Sequence, residues 1–247
     1  MGSGRPWLRH VALLPGGLRH GDRGAALLRM RNESSSQPVE PDGGVPHPTA
    51  SGRTRGRLVV ARHGATSWSR RGRHTGLTDV PLEDEGKRQA VEIGRTLIGY
   101  DFARVLVSPM SRARETCALA GFGSSAEVCE DLREWDYGAY EGRTTPEIRL
   151  GRPGWSLWRD GVVGGETLAE VSRRADRLVA LVRSSAGDVL AFAHGHLLRV
   201  VGARWLELAP SEGARFVLDP GGLGVLGWEH EVAVMVRWNE RGEDPLA

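Results

Sequence analysis

The 247-residue chain has few cysteines, one lysine and no long apolar run. Its two cysteines, Cys117 and Cys129, lack the spacing of a metal site and the number that a disulfide framework needs. We therefore expect a reduced, cytoplasmic protein. The longest apolar stretches, such as residues 189–193, have the length of a strand and fall far short of the ~18 residues that span a bilayer, so no membrane partner is expected.

Positive charge comes almost entirely from arginine and is concentrated near the N-terminus. Residues 1–56 hold eight arginines and four acidic residues, a balance of +4, whereas the whole chain has a net charge of +2. Subtracting one from the other leaves −2 for the remainder of the chain. The sequence therefore does not predict a nucleic-acid partner.

The first 56 residues differ in composition from the rest. Residues 32–56 are rich in Ser, Pro, Gly and Thr and have no apolar period, which is typical of a disordered linker. We predict that residues 1–56 are a disordered extension or the result of a wrongly assigned start codon, because Met30 begins a plausible shorter protein. Residues 57–247 are predicted to fold as one domain.

From residue 57 onward, strongly apolar strands alternate with amphipathic helices. The predicted strands are 58–61, 105–107, 189–193 and a closing hairpin of 225–228 with 232–238. The predicted helices are 83–98, 111–120, 167–184 and one that follows residue 196 and runs through residue 205. This alternation predicts an α/β fold with three layers, α-β-α, around a mainly parallel central sheet.

Polar side chains follow three of these strands. Arg62 and His63 come after the first, Ser108 and Arg112 after the second, and His194 after the strand at 189–193. Ligands of parallel sheets bind beyond the carboxyl ends of the strands, so we expect these side chains to converge.

The converging groups suit a phosphate. Arg62 and Arg112 offer planar forks for phosphate oxygens, His194 offers a further donor, and Gly64 permits close approach of an anion to the backbone. A lone histidine is as often structural as functional, but this setting favours a role for His63 as a nucleophile. Its second ring nitrogen would then donate to a backbone carbonyl, leaving the attacking nitrogen free.

A leaving alkoxide needs a proton, and the segment around residue 134 offers two carboxyl groups. Trp135 and Tyr137 flank Glu134 and would form an apolar wall that keeps it protonated. Asp136 competes for the role, and a solvated loop carboxylate is the simpler interpretation of either residue. The residues alone leave this choice open.

Four segments, in order, resemble the signatures of the histidine phosphatase superfamily, which includes the phosphoglycerate mutases. They are residues 62–66 (RHGAT), 108–116 (SPMSRARET), 132–142 (LREWDYGAYEG) and 193–195 (AHG). The first alone is a weak signal, whereas the four together are highly specific. The resemblance covers about residues 57–238 and implies that residues 57–247 are a catalytic domain with a phosphoglycerate mutase-like fold.

The resemblance also implies a role for each matching residue. His63 is implied as the phosphorylated nucleophile, and Arg62, Arg112 and His194 as the phosphate pocket. The choice of proton donor falls on Glu134. No metal and no cofactor are expected for this chemistry.

Finer features are similar to the actinobacterial acid phosphatases and the sedoheptulose-1,7-bisphosphatases of this family. They lie in residues 75–79, 134–142, 158–167, 194–196 and 218–226. By that likeness Thr75, Gly76 and Tyr137 line the substrate side of the pocket. The expected function is metal-independent hydrolysis of a phosphomonoester, a sugar phosphate or other small phosphorylated metabolite, through a phosphohistidine on His63.

Three alternatives stay open at this point. A cofactor-dependent phosphoglycerate mutase shares the catalytic residues, but no paired arginines and no lysine occur in residues 143–165. A metallohydrolase would use the His194-x-His196 pair, yet the sequence offers no clear third ligand. A non-catalytic phosphate binder would not need a nucleophile and an acid together. The oligomeric state is also open, with a homodimer as one option.

Overall fold

The computed structural model describes residues 55–241, so the prediction for residues 1–56 lies outside the described residues except at its last two positions. The strands are β1 (Leu58–Arg62), β2 (Arg104–Val107), β3 (Ala126–Val128), β4 (Val189–Ala193), β5 (Leu223–Glu229) and β6 (Val232–Glu240). The α-helices are α1 (Ser67–Arg70), α2 (Asp84–Thr96), α3 (Ser111–Leu119), α4 (Thr145–Gly151), α5 (Leu157–Asp160), α6 (Leu168–Ser184) and α7 (Gly195–Trp205).

The six strands form one sheet in the order β3-β2-β4-β1-β5-β6. The first four in this order run parallel, and β5 and β6 form the antiparallel hairpin that closes the sheet. Side chains alternate between two cores. Val59 on β1 belongs to the core shared with α2 and α3, whereas its neighbour Val60 belongs to the core shared with α6 and α7. The predicted three-layer α/β fold is confirmed.

Helix α6 shows why local sequence was informative. The Thr167 hydroxyl accepts from the Glu170 N–H at 3.2 Å, and the Glu170 carboxylate accepts from the Thr167 N–H at 2.8 Å, so the two residues form a capping box. The stripe that contains Val171, Ala175 and Leu178 is fully buried. Within residues 55–241, no helix is long and apolar enough to cross a bilayer.

Three neighbouring strands, β2, β4 and β1, position the polar residues. In the parallel register Arg62 pairs with Ala193, and Val107 pairs with Phe192. The three strands therefore end almost level, and the residues that follow each of them emerge side by side. The expectation that these side chains converge at the carboxyl edge of the sheet is confirmed by this register.

Two glycines let the loop after β1 pack directly on α2. A Cβ on Gly64 would lie 2.2 Å from the carbonyl oxygen of Gly86, and a Cβ on Gly86 would lie 2.2 Å from that of Ala65. Both contacts are to backbone, which cannot swing aside as a side chain can. Gly64 is thus required by close packing of two backbone segments, a reason that differs from the predicted approach of an anion.

We predict that Gly86→Ala lowers the free energy of unfolding by about 3 kcal/mol, because the added methyl group must push the loop away from α2. Urea denaturation would measure the loss. The matched control is Gly151→Ala, since a Cβ there meets no atom within 4 Å. Equal stability of the two variants would show that the backbone contact at Gly86 does not constrain the fold.

Candidate active site

A cavity of about 230 Å³ opens at the carboxyl edge of the sheet. Five residues predicted from the sequence line it: Arg62, His63, Thr75, Glu134 and Tyr137. They come from β1, the loop that follows it, the 75–78 loop and the segment before α4. The cavity is therefore a meeting point of segments that are far apart in the chain, as expected of an α/β sheet.

His63 is held in one tautomer. Its backbone N–H donates to the Ala193 carbonyl at 2.9 Å, which fixes the residue to the end of β4. Its Nδ1 lies 2.7 Å from the Gly64 carbonyl oxygen, which can only accept, so Nδ1 carries the proton. Among the described residues, Nε2 has no hydrogen-bond partner. The geometry matches the predicted arrangement, with one nitrogen donating to a carbonyl and the other left with its lone pair.

The electrostatic surroundings keep this imidazole neutral. Burial lowers the pKa of His63 well below its ordinary value of 6.5, and the charges of Arg62 and Arg112 lower it further. The side chain is only 4% exposed. Proton uptake would place a third positive charge beside two guanidinium groups, so the nucleophilic form persists into the acidic range.

Arg62 presents an unused donor. One of its terminal nitrogens donates to the Leu218 carbonyl, and its guanidinium lies against the backbone of Gly195, where a Cβ would be 3.1 Å from Cζ. Its Nε is buried and has no hydrogen-bond partner. Arg62 also lines the cavity, so its guanidinium group is placed to bind an anion there.

Arg112 is fully buried and engaged by the protein. Its guanidinium donates to the carbonyl oxygens of Thr75, Gly76 and Thr78 at 2.9–3.1 Å, and its Nε donates to His194 at 3.2 Å. It does not line the cavity. The predicted phosphate clamp therefore shapes the 75–78 loop, and its positive charge acts on the site although it does not line the cavity.

His194 also has a protein partner at each ring nitrogen. Nδ1 accepts from Arg112, so Nε2 must carry the proton that is shared with the Ser108 hydroxyl at 2.7 Å. Its ring centroid lies 5.2 Å from that of His63. The two imidazoles are adjacent as predicted, but a hydrogen bond from His194 to phosphate would have to replace the one to Ser108.

The Glu134 carboxylate lies at the amino end of α7. Its oxygens accept from the backbone N–H groups of Trp135, His196 and Leu197 at 2.9–3.1 Å. Such donors, together with the helix dipole, stabilise negative charge. These three N–H groups hold the Glu134 carboxyl group in place, whereas the sequence suggested that Trp135 and Tyr137 would form an apolar wall around it.

An aromatic cluster forms one side of the cavity. The Tyr137 hydroxyl lies 2.6 Å from Nδ1 of His196, and the His74 ring lies 4.8 Å from the Tyr137 ring. Burial lowers the pKa of His74 to about 4 and that of His196 well below 6.5, and it raises the pKa of Tyr137 well above 10. This wall is therefore uncharged over the physiological range.

The other predicted substrate residues have distinct positions. Thr75 lines the cavity, but Gly76 and Gly64 do not. A Cβ on Gly76 would lie 2.6 Å from the Trp135 carbonyl oxygen, and the Gly76 N–H donates to Glu141 at 2.9 Å. Gly76 thus lets the 75–78 loop pack against the segment that carries Glu134.

Several lining residues were not predicted from the sequence. They are Ser69, Gly72, Arg73, Thr145, Arg199 and Leu218. Most lie in loops or at helix ends, where no apolar period marks them. Arg199 had a detectable signal, because it follows His196 by three residues on α7, a spacing that places both side chains on one face of the helix.

The His194-x-His196 pair does not have the geometry of two ligands on one ion. His194 faces Arg112 and Ser108, whereas His196 faces Tyr137. Over residues 55–241, no cluster of three or more His, Cys, Asp or Glu side chains is placed to hold a metal.

The comparisons of this chain with known proteins agree on one family. The model of the histidine phosphatase superfamily (branch 1) matches residues 58–241. An acid phosphatase of Mycobacterium tuberculosis is 46% identical over 180 residues, covering 71% of this chain and 88% of that protein. The sedoheptulose 1,7-bisphosphatase of Saccharomyces cerevisiae is 31% identical over 239 residues, covering 70% and 88%.

A solved structure gives the same result. The product of an open reading frame from Mycobacterium tuberculosis superposes with a TM-score of 0.72 at 42% identity, covering 76% of this chain and 99% of that one. The cavity described above lies at the sequence segments that first suggested the resemblance. The chain belongs to the histidine phosphatase superfamily.

Proposed function

We propose that residues 57–247 form a catalytic domain that hydrolyses phosphomonoesters of small metabolites through a phosphohistidine on His63. The observation that carries the proposal is the state of that imidazole. Its Nδ1 proton is committed to the Gly64 carbonyl, and its Nε2 is left free beside a cavity that Arg62 also lines. A neutral imidazole beside fixed cations is a competent nucleophile toward a bound phosphoryl group.

In the first step the Nε2 lone pair attacks phosphorus and the bond to the leaving oxygen breaks. Glu134 gives its proton to that oxygen, so an alcohol departs rather than an alkoxide. The ring then carries a positive charge, which the hydrogen bond from Nδ1 to the Gly64 carbonyl stabilises. Arg62, with Arg112 behind it, offsets the negative charge on the phosphoryl oxygens.

Glu134 supplies this proton from the edge of the cavity, and its backbone donors hold the carboxyl group in place for the transfer. In the second step Glu134 accepts a proton from water as that water attacks phosphorus. The Nε2–P bond breaks, its electrons return to His63, and Glu134 is again protonated.

The cavity favours a small, hydroxylated substrate. Its volume of about 230 Å³ is below the ~300–1,000 Å³ of pockets that hold drug-sized ligands. Hydroxyl groups of Ser69, Thr75 and Thr145 and the guanidinium groups of Arg73 and Arg199 surround it. These groups suit the hydroxyls and second anionic group of a sugar phosphate. A comparison of kcat/KM for sedoheptulose-1,7-bisphosphate, fructose-1,6-bisphosphate and 3-phosphoglycerate would rank the substrates.

Release of inorganic phosphate distinguishes this activity from that of a mutase. We expect stoichiometric phosphate from 3-phosphoglycerate or a sugar phosphate without any added bisphosphoglycerate. Isomerisation of 3-phosphoglycerate that depends on such a primer, with little free phosphate, would instead identify a mutase.

Glu134→Gln tests the proton donor. We expect kcat/KM for an alkyl phosphate, such as glycerol 3-phosphate, to fall by about 100-fold or more, because its alkoxide is a poor leaving group. For 4-nitrophenyl phosphate, whose leaving group needs no proton, we expect a much smaller loss. An equal loss with both esters would contradict the assignment of Glu134 as the acid.

A further inference from the structure

An ion pair between the buried Arg174 and the partly buried Glu166 lies behind the segment that carries Glu134. Arg174, on the apolar stripe of α6, is only 6% exposed. It donates to both carboxylate oxygens of Glu166 at 2.7–2.8 Å, and to the carbonyl oxygens of Asp131, Arg133 and Glu134 at 2.8, 2.9 and 3.4 Å. These five bonds match the five N–H groups of a guanidinium. All five N–H groups of Arg174 therefore bind either Glu166 or the segment that carries Glu134.

Glu166 holds the other side of the same segment. One of its carboxylate oxygens also accepts from the Asp136 N–H at 3.1 Å, and its own N–H donates to the Asp136 carbonyl at 3.0 Å. Its carbonyl accepts from the Trp135 indole at 2.7 Å. Together, Arg174 and Glu166 fix the backbone immediately before and after Glu134.

We propose that Arg174 and Glu166 are positioning residues for proton transfer by Glu134. The inference rests on the proposed function of Glu134 as the acid. Neither side chain lines the cavity, so both act through the backbone. A planar bidentate fork fixes both distance and orientation, which a point charge cannot do. Proton transfer needs donor and acceptor within about 3 Å, so a small shift of this segment would weaken it strongly.

The test uses the ratio of kcat/KM for glycerol 3-phosphate to kcat/KM for 4-nitrophenyl phosphate, measured in one preparation of each variant. This ratio cancels the folded fraction, so a variant that is merely less stable leaves it unchanged. We expect Glu166→Gln and Arg174→Gln to lower the ratio by about tenfold or more, because only the alkyl ester depends on the acid. Arg174→Lys keeps the charge but loses the fork, and should not restore the ratio.

Arg177→Gln is the matched control. Arg177 lies on the same helix and pairs with the side chain of Asp131 in the same segment, but it is 59% exposed. We expect its ratio to stay within about twofold of the wild type, as is usual for an exposed ion pair.

Glu134→Gln is measured in the same series. If its ratio falls while Arg174→Gln and Glu166→Gln behave like Arg177→Gln, the positioning inference is overturned and the proposed function stands. If the ratio of Glu134→Gln itself is unchanged, the acid is misassigned and the inference is overturned with it.

Discussion

His63→Ala is expected to lower kcat/KM for every phosphomonoester by at least about 10⁴-fold, since the other two imidazoles that line the cavity, His74 and His196, are engaged by Thr145 and Tyr137. Arg62 still lines the cavity in this variant, and the 75–78 loop does not depend on His63. Affinity for inorganic phosphate should therefore change far less than turnover. Steady-state kinetics and titration with phosphate measure the two effects separately.

His230→Asn is the control for this variant. His230 is exposed in the turn of the β5–β6 hairpin and has a φ of 54°, a conformation that asparagine also adopts readily. It should retain wild-type activity. A His63→Ala protein with activity within about tenfold of the wild type would refute the assignment of the nucleophile.

Acidification is expected to destabilise the fold well before the carboxylates titrate. Burial lowers the pKa of His63, His194 and His196 well below 6.5 and that of His74 to about 4. In the unfolded chain these residues bind protons near pH 6.5, whereas in the native protein they stay neutral. The unfolded state thus takes up more protons as the pH falls, and the stability present above pH 6.5 is progressively lost.

The expected loss of stability on acidification is large for a domain of this size. Each such histidine contributes a slope that approaches ~1.4 kcal/mol per pH unit below its unfolded-state pKa. Over pH 6.5 to 5.0 His74 alone lowers the free energy of unfolding by about 1.5 kcal/mol, and His63, His194 and His196 add to the loss in the same direction, against a typical total of ~5–15 kcal/mol. Bound phosphate should offset part of this loss, because it binds only the native state.

Urea denaturation at pH 7.5, 6.5, 5.5 and 5.0 measures this dependence. His74→Gln should reduce the slope of the free energy of unfolding against pH by the contribution of about one proton. The surface variant His230→Asn should leave this slope unchanged. A free energy of unfolding that stays constant from pH 7.5 to 5.0 would mean that the buried histidines are not neutral in the native protein.

The sequence was sufficient to predict the fold and the site wherever the residues concerned belong to, or directly follow, a recognisable local pattern. Strands that read as continuous apolar runs placed His63 and His194 at one edge, and the capping box of α6 was visible in its own residues. The three-residue strand β3 was missed because Glu127 and Val128 are exposed, and its pairing with β2 alone makes it a strand. Helix α4 was missed although the capping box of Thr144 and Glu147 was present in the sequence.

Long-range contacts explain what sequence reasoning did not find. The carboxylate of Glu134 accepts from the N–H groups of His196 and Leu197, more than sixty positions away, as well as from that of the adjacent Trp135. Arg112 is bound by carbonyl groups from a loop over thirty positions earlier. Arg174 had a visible signal, because an arginine on the apolar stripe of α6 must find partners when it is buried.

The most direct test of the account is the chemical nature of the enzyme-bound phosphate. Glu134→Gln, which should form the intermediate from 4-nitrophenyl phosphate but hydrolyse it slowly, is quenched in alkali during turnover and analysed by ³¹P NMR and peptide mapping. Because Nδ1 of His63 donates to the Gly64 carbonyl, the account predicts phosphate on Nε2 of His63. Phosphate on Nδ1, on another residue or on no residue at all would contradict it.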